Sequence, residues 1–77
     1  MENYMQHIEI DTKVMFGKPV IKGTRITVEL VLDELGAGKM MDDLLAAHPR
    51  LGKEAIWAAL KFAADALRGE RSYPVAV

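Results

Sequence analysis

The sequence predicts a mainly α fold, in which a three-helix core of the helix-turn-helix type follows a short N-terminal β-hairpin. Apolar residues recur at helical spacing in three stretches between residues 27 and 68. The link between the second and third stretches is short and contains Pro49, as in a helix-turn-helix. Short apolar runs typical of strands lie within residues 8–21. With 77 residues the chain is one domain, 1–77, with a C-terminal tail over 69–77.

The segment before the helices is expected to form short extended pieces that pair as a hairpin. The first piece alternates polar and apolar side chains, so Ile8 and Ile10 are expected to face inward. Residues 14–16 and 19–21 are further extended pieces on either side of Gly17, and these two are expected to form a small hairpin. Because two strands alone are marginally stable in water, a helix or a second chain must cover them.

Residues 17–38 carry clear signals for a turn followed by a helix. Gly23 stands in a polar turn between two apolar runs, which indicates a positive φ or a close backbone approach. Thr27 is a good N-cap for the first helix, because its hydroxyl can accept a hydrogen bond from an unpaired N–H group. Gly36 is the expected left-handed residue at the C-terminus of that helix.

Two further helices complete the predicted core. The second runs over residues 40–47 and ends before Pro49, which disfavours helix at the residue in front of it. The third runs over residues 53–68, and its expected core stripe is Ile56, Leu60, Ala63 and Leu67. This helix is apolar well beyond the stripe. Such a helix often lies under a second subunit, so we expect a homodimer.

Composition narrows the class of protein. The chain has no cysteine, which excludes disulfides and thiolate chemistry and suits a reducing cytoplasm. A net charge of −1 argues against a protein that binds nucleic acid over its whole surface, although a local basic face is allowed. The N-terminus lacks a basic start followed by an apolar run, and no apolar stretch approaches bilayer length. We expect a cytoplasmic protein without a membrane segment.

Residues 17–38, GKPVIKGTRITVELVLDELGAG, carry a resemblance to a known family. Together with the Pro-x-Leu turn at 49–51 and the alanine-rich stretch 55–66, they resemble domain of unknown function 433, a small prokaryotic family. The likeness covers roughly Ile8 to Leu67, and the GTRI segment is its most specific part. The chain departs from the family pattern at two helix starts, where Met40 and Gly52 stand instead of serine or threonine.

The resemblance implies a homeodomain-like helix-turn-helix fold and an antitoxin-like function. The family is widely predicted to supply antitoxins encoded beside PIN-like ribonuclease toxins. A member is therefore expected to bind and neutralise such a toxin and to bind its own operator DNA. The alternative is a stand-alone helix-turn-helix transcriptional regulator with no toxin.

In a helix-turn-helix, the second helix of the motif enters the major groove. The residues placed there are Arg50, Lys53, Trp57 and Lys61. Asn and Gln, the residues that usually recognise adenine, are missing from this helix. The alternative interpretation is that the helix packs in the core and against a second subunit, with a solvated charged edge. A second candidate phosphate surface is the loop that carries Lys13, Lys18, Lys22 and Arg25. The alternative role of Arg25 is an ion pair with Glu29 or with another helix carboxylate.

The candidate contacts with a protein partner are Phe62, Arg68, Tyr73 and Val75. The favoured interpretation of Phe62 is that it packs in the core or against a second subunit. The tail is amphipathic, carries Tyr73 as an anchor, and could add a strand to the edge of a partner's sheet.

The sequence argues against catalysis. Ser72 is the only serine and lies in the tail, so no Ser-His-Asp arrangement is indicated. The segment GKPVIKG lacks the spacing of a P-loop. A metal site built from Asp42, Asp43 and His48 is disfavoured, and we expect neither a metal nor a cofactor.

Overall fold

A computed structural model describes residues 6–68 of the chain. The elements in order are β1 (Ile8–Glu9), a 3-10 turn (Met15–Gly17), β2 (Val20–Ile21), α1 (Val28–Gly36), α2 (Met41–Ala47) and α3 (Lys53–Leu67). The strands form a two-stranded antiparallel sheet, and helix α3 contacts β1, α1 and α2. The predicted mainly α fold with three helices and an N-terminal hairpin is confirmed.

The hairpin is anchored by apolar side chains in the core. Ile8 pairs with Ile21 and Glu9 with Val20, and all three apolar members are buried. The prediction that Ile10 also faces inward is wrong, since its side chain is 52% exposed. Strand β1 ends at Glu9, so the alternation of sides does not continue to Ile10.

The prediction of an extended segment at residues 14–16 is correct for Val14 and wrong for Met15 and Phe16. The strand that pairs with residues 20–21 is therefore 8–9, and not 14–16 as predicted. Met15, Phe16 and Gly17 have positive φ angles of 50°, 59° and 81° and form a tight turn. Two successive non-glycine residues in the left-handed region are unusual and carry backbone strain. The turn leaves Phe16 96% exposed.

The connection from β2 to α1 closes on itself through hydrogen bonds. Gly23 has φ +81°, which confirms the positive φ predicted for it. The Thr24 hydroxyl donates to the Ile21 carbonyl at 2.8 Å and accepts from the Ile26 N–H at 2.9 Å. Thr27 caps α1 as predicted, with its hydroxyl oxygen accepting from the Leu30 N–H at 2.9 Å.

Helix α1 ends one residue later than the predicted end at Leu35, and its left-handed residue lies two positions later than predicted. Gly36 is the last helical residue, and Gly38, at φ +98°, is the left-handed one. The Gly38 N–H donates to the Leu35 carbonyl at 3.0 Å, and the Lys39 N–H donates to the Glu34 carbonyl at 3.2 Å. These two bonds define a Schellman motif with Gly38 at C′. The side chains of Lys39 and Glu34 also form an ion pair at 2.9 Å. The two residues occupy the C″ and C3 positions, which in a Schellman motif often make an apolar contact instead.

The core lies where the hairpin and all three helices meet. Its members are Ile8, Ile21, Val28, Val31, Leu44, Leu51, Ala55, Ile56, Ala58 and Ala59. The expected core stripe of α3 is partly wrong, because Leu60 is 40% and Leu67 85% exposed. No described position of α3 after Ala59 is fully buried. The apolar face of α3 therefore continues past the elements that cover it.

Candidate binding surfaces

The side of α3 that points away from the core carries a basic–aromatic face. Lys53, Trp57 and Lys61 lie four residues apart, which places them along one side of the helix. Trp57 is 54% exposed, and the Lys61 side chain is 51% exposed while pairing with Asp65 at 3.6 Å. We call these three residues the α3 basic face. The structure thus brings together three of the residues predicted to bind DNA.

Two more of the residues predicted to bind DNA lie close together beside the start of α3. Lys22 and Arg50 both line a cavity of about 350 Å³ that also includes Gly52 and Glu54. Arg50 donates from Nη1 to the carbonyl oxygen of Gly23 at 3.2 Å. This side chain therefore has a structural contact in addition to any it makes with a ligand.

Arg25 is exposed on the β2–α1 connection and does not line that cavity. The alternative role predicted for it, an ion pair with Glu29, is wrong. Glu29 is paired with Lys18 Nζ at 3.0 Å instead. Since both members of this pair are largely exposed, it contributes little to stability by itself.

An apolar groove of about 490 Å³ lies between α1 and the second half of α3. We call it the α1–α3 groove. Its apolar walls are formed by Pro19, Val28, Leu32, Phe62, Ala63, Ala66 and Leu67. Glu29 and Asp33 of α1 complete the lining. Phe62, predicted as a partner contact, therefore lines a groove open to solvent.

The remaining predicted partner residues lie at and beyond the end of α3. Arg68 is exposed at the C-cap and pairs with Asp65 one turn earlier. Tyr73 and Val75 lie outside the described residues. Sequence reasoning missed Leu32 and Phe16 as surface features. Leu32 belongs to an apolar stripe of α1, and such a stripe predicts core packing. The sequence around Phe16 contains no signal that predicts an exposed side chain.

The described residues hold no group of three His, Cys, Asp or Glu side chains that could ligate a metal ion. No helix in the same part of the chain has the length and apolar character to cross a bilayer.

The elements and surfaces define a small three-helix domain with an N-terminal hairpin. The sequence profile of the family described as "Protein of unknown function (DUF433)" matches residues 8–63, so the chain belongs to this family. A relative from Archaeoglobus fulgidus, described as "Uncharacterized protein", is 64% identical over 25 residues, which make up 32% of this chain and 69% of that protein. No solved structure matches the chain.

Proposed function

We propose that this chain is an antitoxin-like binding protein that neutralises a PIN-like ribonuclease and binds its own operator DNA through a helix-turn-helix. The observation that carries the proposal is the division of α3 into two exposed surfaces. Lys53 of the basic face and Phe62 of the groove are nine positions apart, so they project about 180° from each other around the helix. One helix can therefore hold DNA and a protein at once.

The DNA-binding part of the proposal rests on the α3 basic face. Lys53 and Lys61 lie one turn to either side of Trp57, so they can contact phosphates while the indole packs against the nucleic acid. Lys22 and Arg50 extend the positive charge around the start of the helix. The same surface supports the second candidate function, a regulator that binds DNA and no toxin.

Trp57 is the only tryptophan, so its fluorescence reports DNA binding directly. Titration of the chain with DNA from its own promoter should change Trp57 fluorescence, with an affinity that falls steeply as salt rises. The double variant Lys53→Glu, Lys61→Glu should weaken binding and reduce the salt slope by about 2, since each phosphate contact contributes ~0.9.

The matched control for each single reversal, Lys53→Glu or Lys61→Glu, is Lys39→Glu, which makes the same change of charge just beyond the end of α1, away from the basic face. It should leave DNA affinity close to that of the parent chain. Equal effects of the control and of either single reversal would show that net charge, and not the α3 basic face, determines binding.

The toxin-binding part is assigned to the C-terminal end of α3 and the tail that follows. Arg68 stands at the end of the helix, and Tyr73 and Val75 supply the apolar anchors of the tail. Co-purification with the tagged chain from its native host should yield a small nuclease in stoichiometric amount. A chain truncated after Gly69 should lose the nuclease and keep its helical circular dichroism.

Two results would count against the toxin-binding part. Retention of the nuclease by the truncated chain would remove the tail as the contact. Recovery of the chain with DNA alone would favour the regulator. In both forms the chain acts by binding, and the proposal assigns it no reaction of its own.

A further inference from the structure

Phe16 is an aromatic side chain that the fold holds out into solvent. It is 96% exposed, so it packs against almost none of its own chain. The turn that carries it is closed by backbone hydrogen bonds from Val14 to Asp11, from Gly17 to Val14 and from Lys18 to Met15. Its left-handed backbone, with φ 59° and ψ 33°, is a strained conformation for phenylalanine. An exposed, pre-positioned aromatic residue is typical of an interface anchor.

The α1–α3 groove lies next to this turn. Pro19, three residues after Phe16, forms part of the groove wall. Lys18 is tied to Glu29, which also lines the groove, by the 3.0 Å ion pair. The turn that carries Phe16 is therefore joined to the wall of the groove through Lys18 and Pro19. A two-fold symmetric contact needs this arrangement, because each copy must offer the same patch in both roles.

The charges around the two features are complementary. Lys13 lies three residues before Phe16 and Asp33 lines the groove, whereas Lys18 and Glu29 already pair with each other within one chain. A second copy that inserts its Phe16 would bring Lys13 toward the acidic side of its partner's groove. Charge complementarity of this kind favours the reciprocal contact over unrelated partners.

We propose that the chain forms a two-fold homodimer in which Phe16 of each copy fills the α1–α3 groove of the other. A buried aromatic side chain contributes ~150–250 Å² of contact. The two Phe16 side chains therefore supply about a quarter of a standard interface of ~1,600 Å². The exposed side chain of Leu67, the groove walls and Lys13 are available for the rest. The dimer occupies the groove that includes Phe62, so a toxin bound at the same time would contact Arg68 and the tail that follows it.

The absence of cysteine allows a direct test by cross-linking. Single variants Phe16→Cys and Leu67→Cys would be mixed and treated with a short bis-maleimide. A hetero-cross-linked dimer is expected, because position 16 of one copy lies in the groove that contains position 67 of the other. The matched control is a mixture of Met40→Cys and Leu67→Cys. Met40 is 69% exposed at the start of α2 and does not line the groove, so little cross-linking is expected.

Sedimentation of the full chain provides the second measurement. The parent should sediment as a dimer, and Phe16→Asp should raise the dissociation constant at least about tenfold, as for an interface hot spot. Aspartate tolerates a left-handed backbone better than phenylalanine, so this variant should fold. Leu67→Lys, at the 85% exposed groove residue, should give the same loss from the other side of the contact.

Three outcomes would overturn the dimer. The first is a parent chain that stays monomeric at every concentration. The second is a dimer that Phe16→Asp leaves unchanged, or one whose cross-linking matches the control. The third is a chain that dimerises only after truncation at Gly69, which would assign the groove to the chain's own tail.

Discussion

Arg50 donates a hydrogen bond from Nη1 to the Gly23 carbonyl at 3.2 Å, which joins the α2–α3 link to the β2–α1 connection across 27 residues of sequence. The two most distinctive segments of the chain, the GTRI turn and the Pro-x-Leu turn, therefore meet in the fold. A residue expected from the sequence to contact phosphate thus also holds two connections together.

This contact predicts different effects for two neighbouring basic residues. Arg50→Ala should lower the free energy of unfolding by about 0.5–1 kcal/mol, the net contribution of one exposed hydrogen bond. Lys53→Ala should change it by less than about 0.5 kcal/mol, as for an ordinary surface position. Urea denaturation of both variants measures the difference. Equal stabilities would show that the Arg50 contact does not contribute to the fold.

The two glycines that end α1 should respond with opposite signs. Gly36 is helical and a Cβ there would meet nothing within 4 Å, so Gly36→Ala should stabilise by up to about 1 kcal/mol. Gly38 has φ +98°, so Gly38→Ala should destabilise by about 1–2 kcal/mol. Thermal unfolding of the pair decides between the two assignments of the left-handed residue. If Gly36→Ala were the destabilising variant and Gly38→Ala the stabilising one, Gly36 would be the left-handed residue.

Helix α2 begins without a side-chain oxygen at its N-cap. Asp43 accepts from the Met40 N–H at 2.8 Å, but the Met40 side chain has no oxygen to return the bond. Met40→Ser should complete the capping box and raise the free energy of unfolding by about 0.5–1 kcal/mol. Because Met40 is 69% exposed, little apolar packing is lost. Met40→Ala is the control, and equal gains in both variants would contradict the capping explanation.

The ion pair at the end of α1 predicts a pH dependence at high pH. The hydrogen bond that Lys39 donates to the Glu34 carboxylate, and then the charge of that carboxylate, raise the pKa of Lys39 above its ordinary value of 10.5. A raised pKa means that the pair stabilises the fold below pH 10.5 and that this contribution is lost as pH rises through the folded value. The stability difference between the parent and Lys39→Gln should therefore be constant near neutral pH and shrink above pH 10.5. Denaturation at several pH values measures it, and a constant difference would rule out the pair as its cause.

Local chemistry made part of the fold predictable. The Thr27 cap and the positive φ of Gly23 depend on a few neighbouring residues, and both were read correctly. The end of α1 was misread because Gly36 and Gly38 both fit a glycine stop. Only the hydrogen bonds of the Schellman motif distinguish them.

The surfaces were less predictable because exposure depends on neighbours that the sequence does not place. A periodic apolar stripe identified one face of α3 but not how far other elements cover it, so Leu67 was assigned to the core. Phe16 is exposed because its backbone is left-handed, whereas the sequence predicts an extended backbone for this segment. The α3 basic face was found because side chains four residues apart on a helix share a side whatever covers the rest.

The hydrogen bonds of the β2–α1 connection also bear on how the chain folds. They join Ile21 to Ile26, Thr24 to Ile21 and Val28 to Pro19, pairs at most nine positions apart. Contacts this local require little loop closure and form quickly. The segment that most clearly marks the family is thus well suited to be the folding nucleus. If this segment forms the nucleus, substitutions in it would slow refolding, whereas substitutions at buried positions of α3 such as Ile56 would mainly speed unfolding.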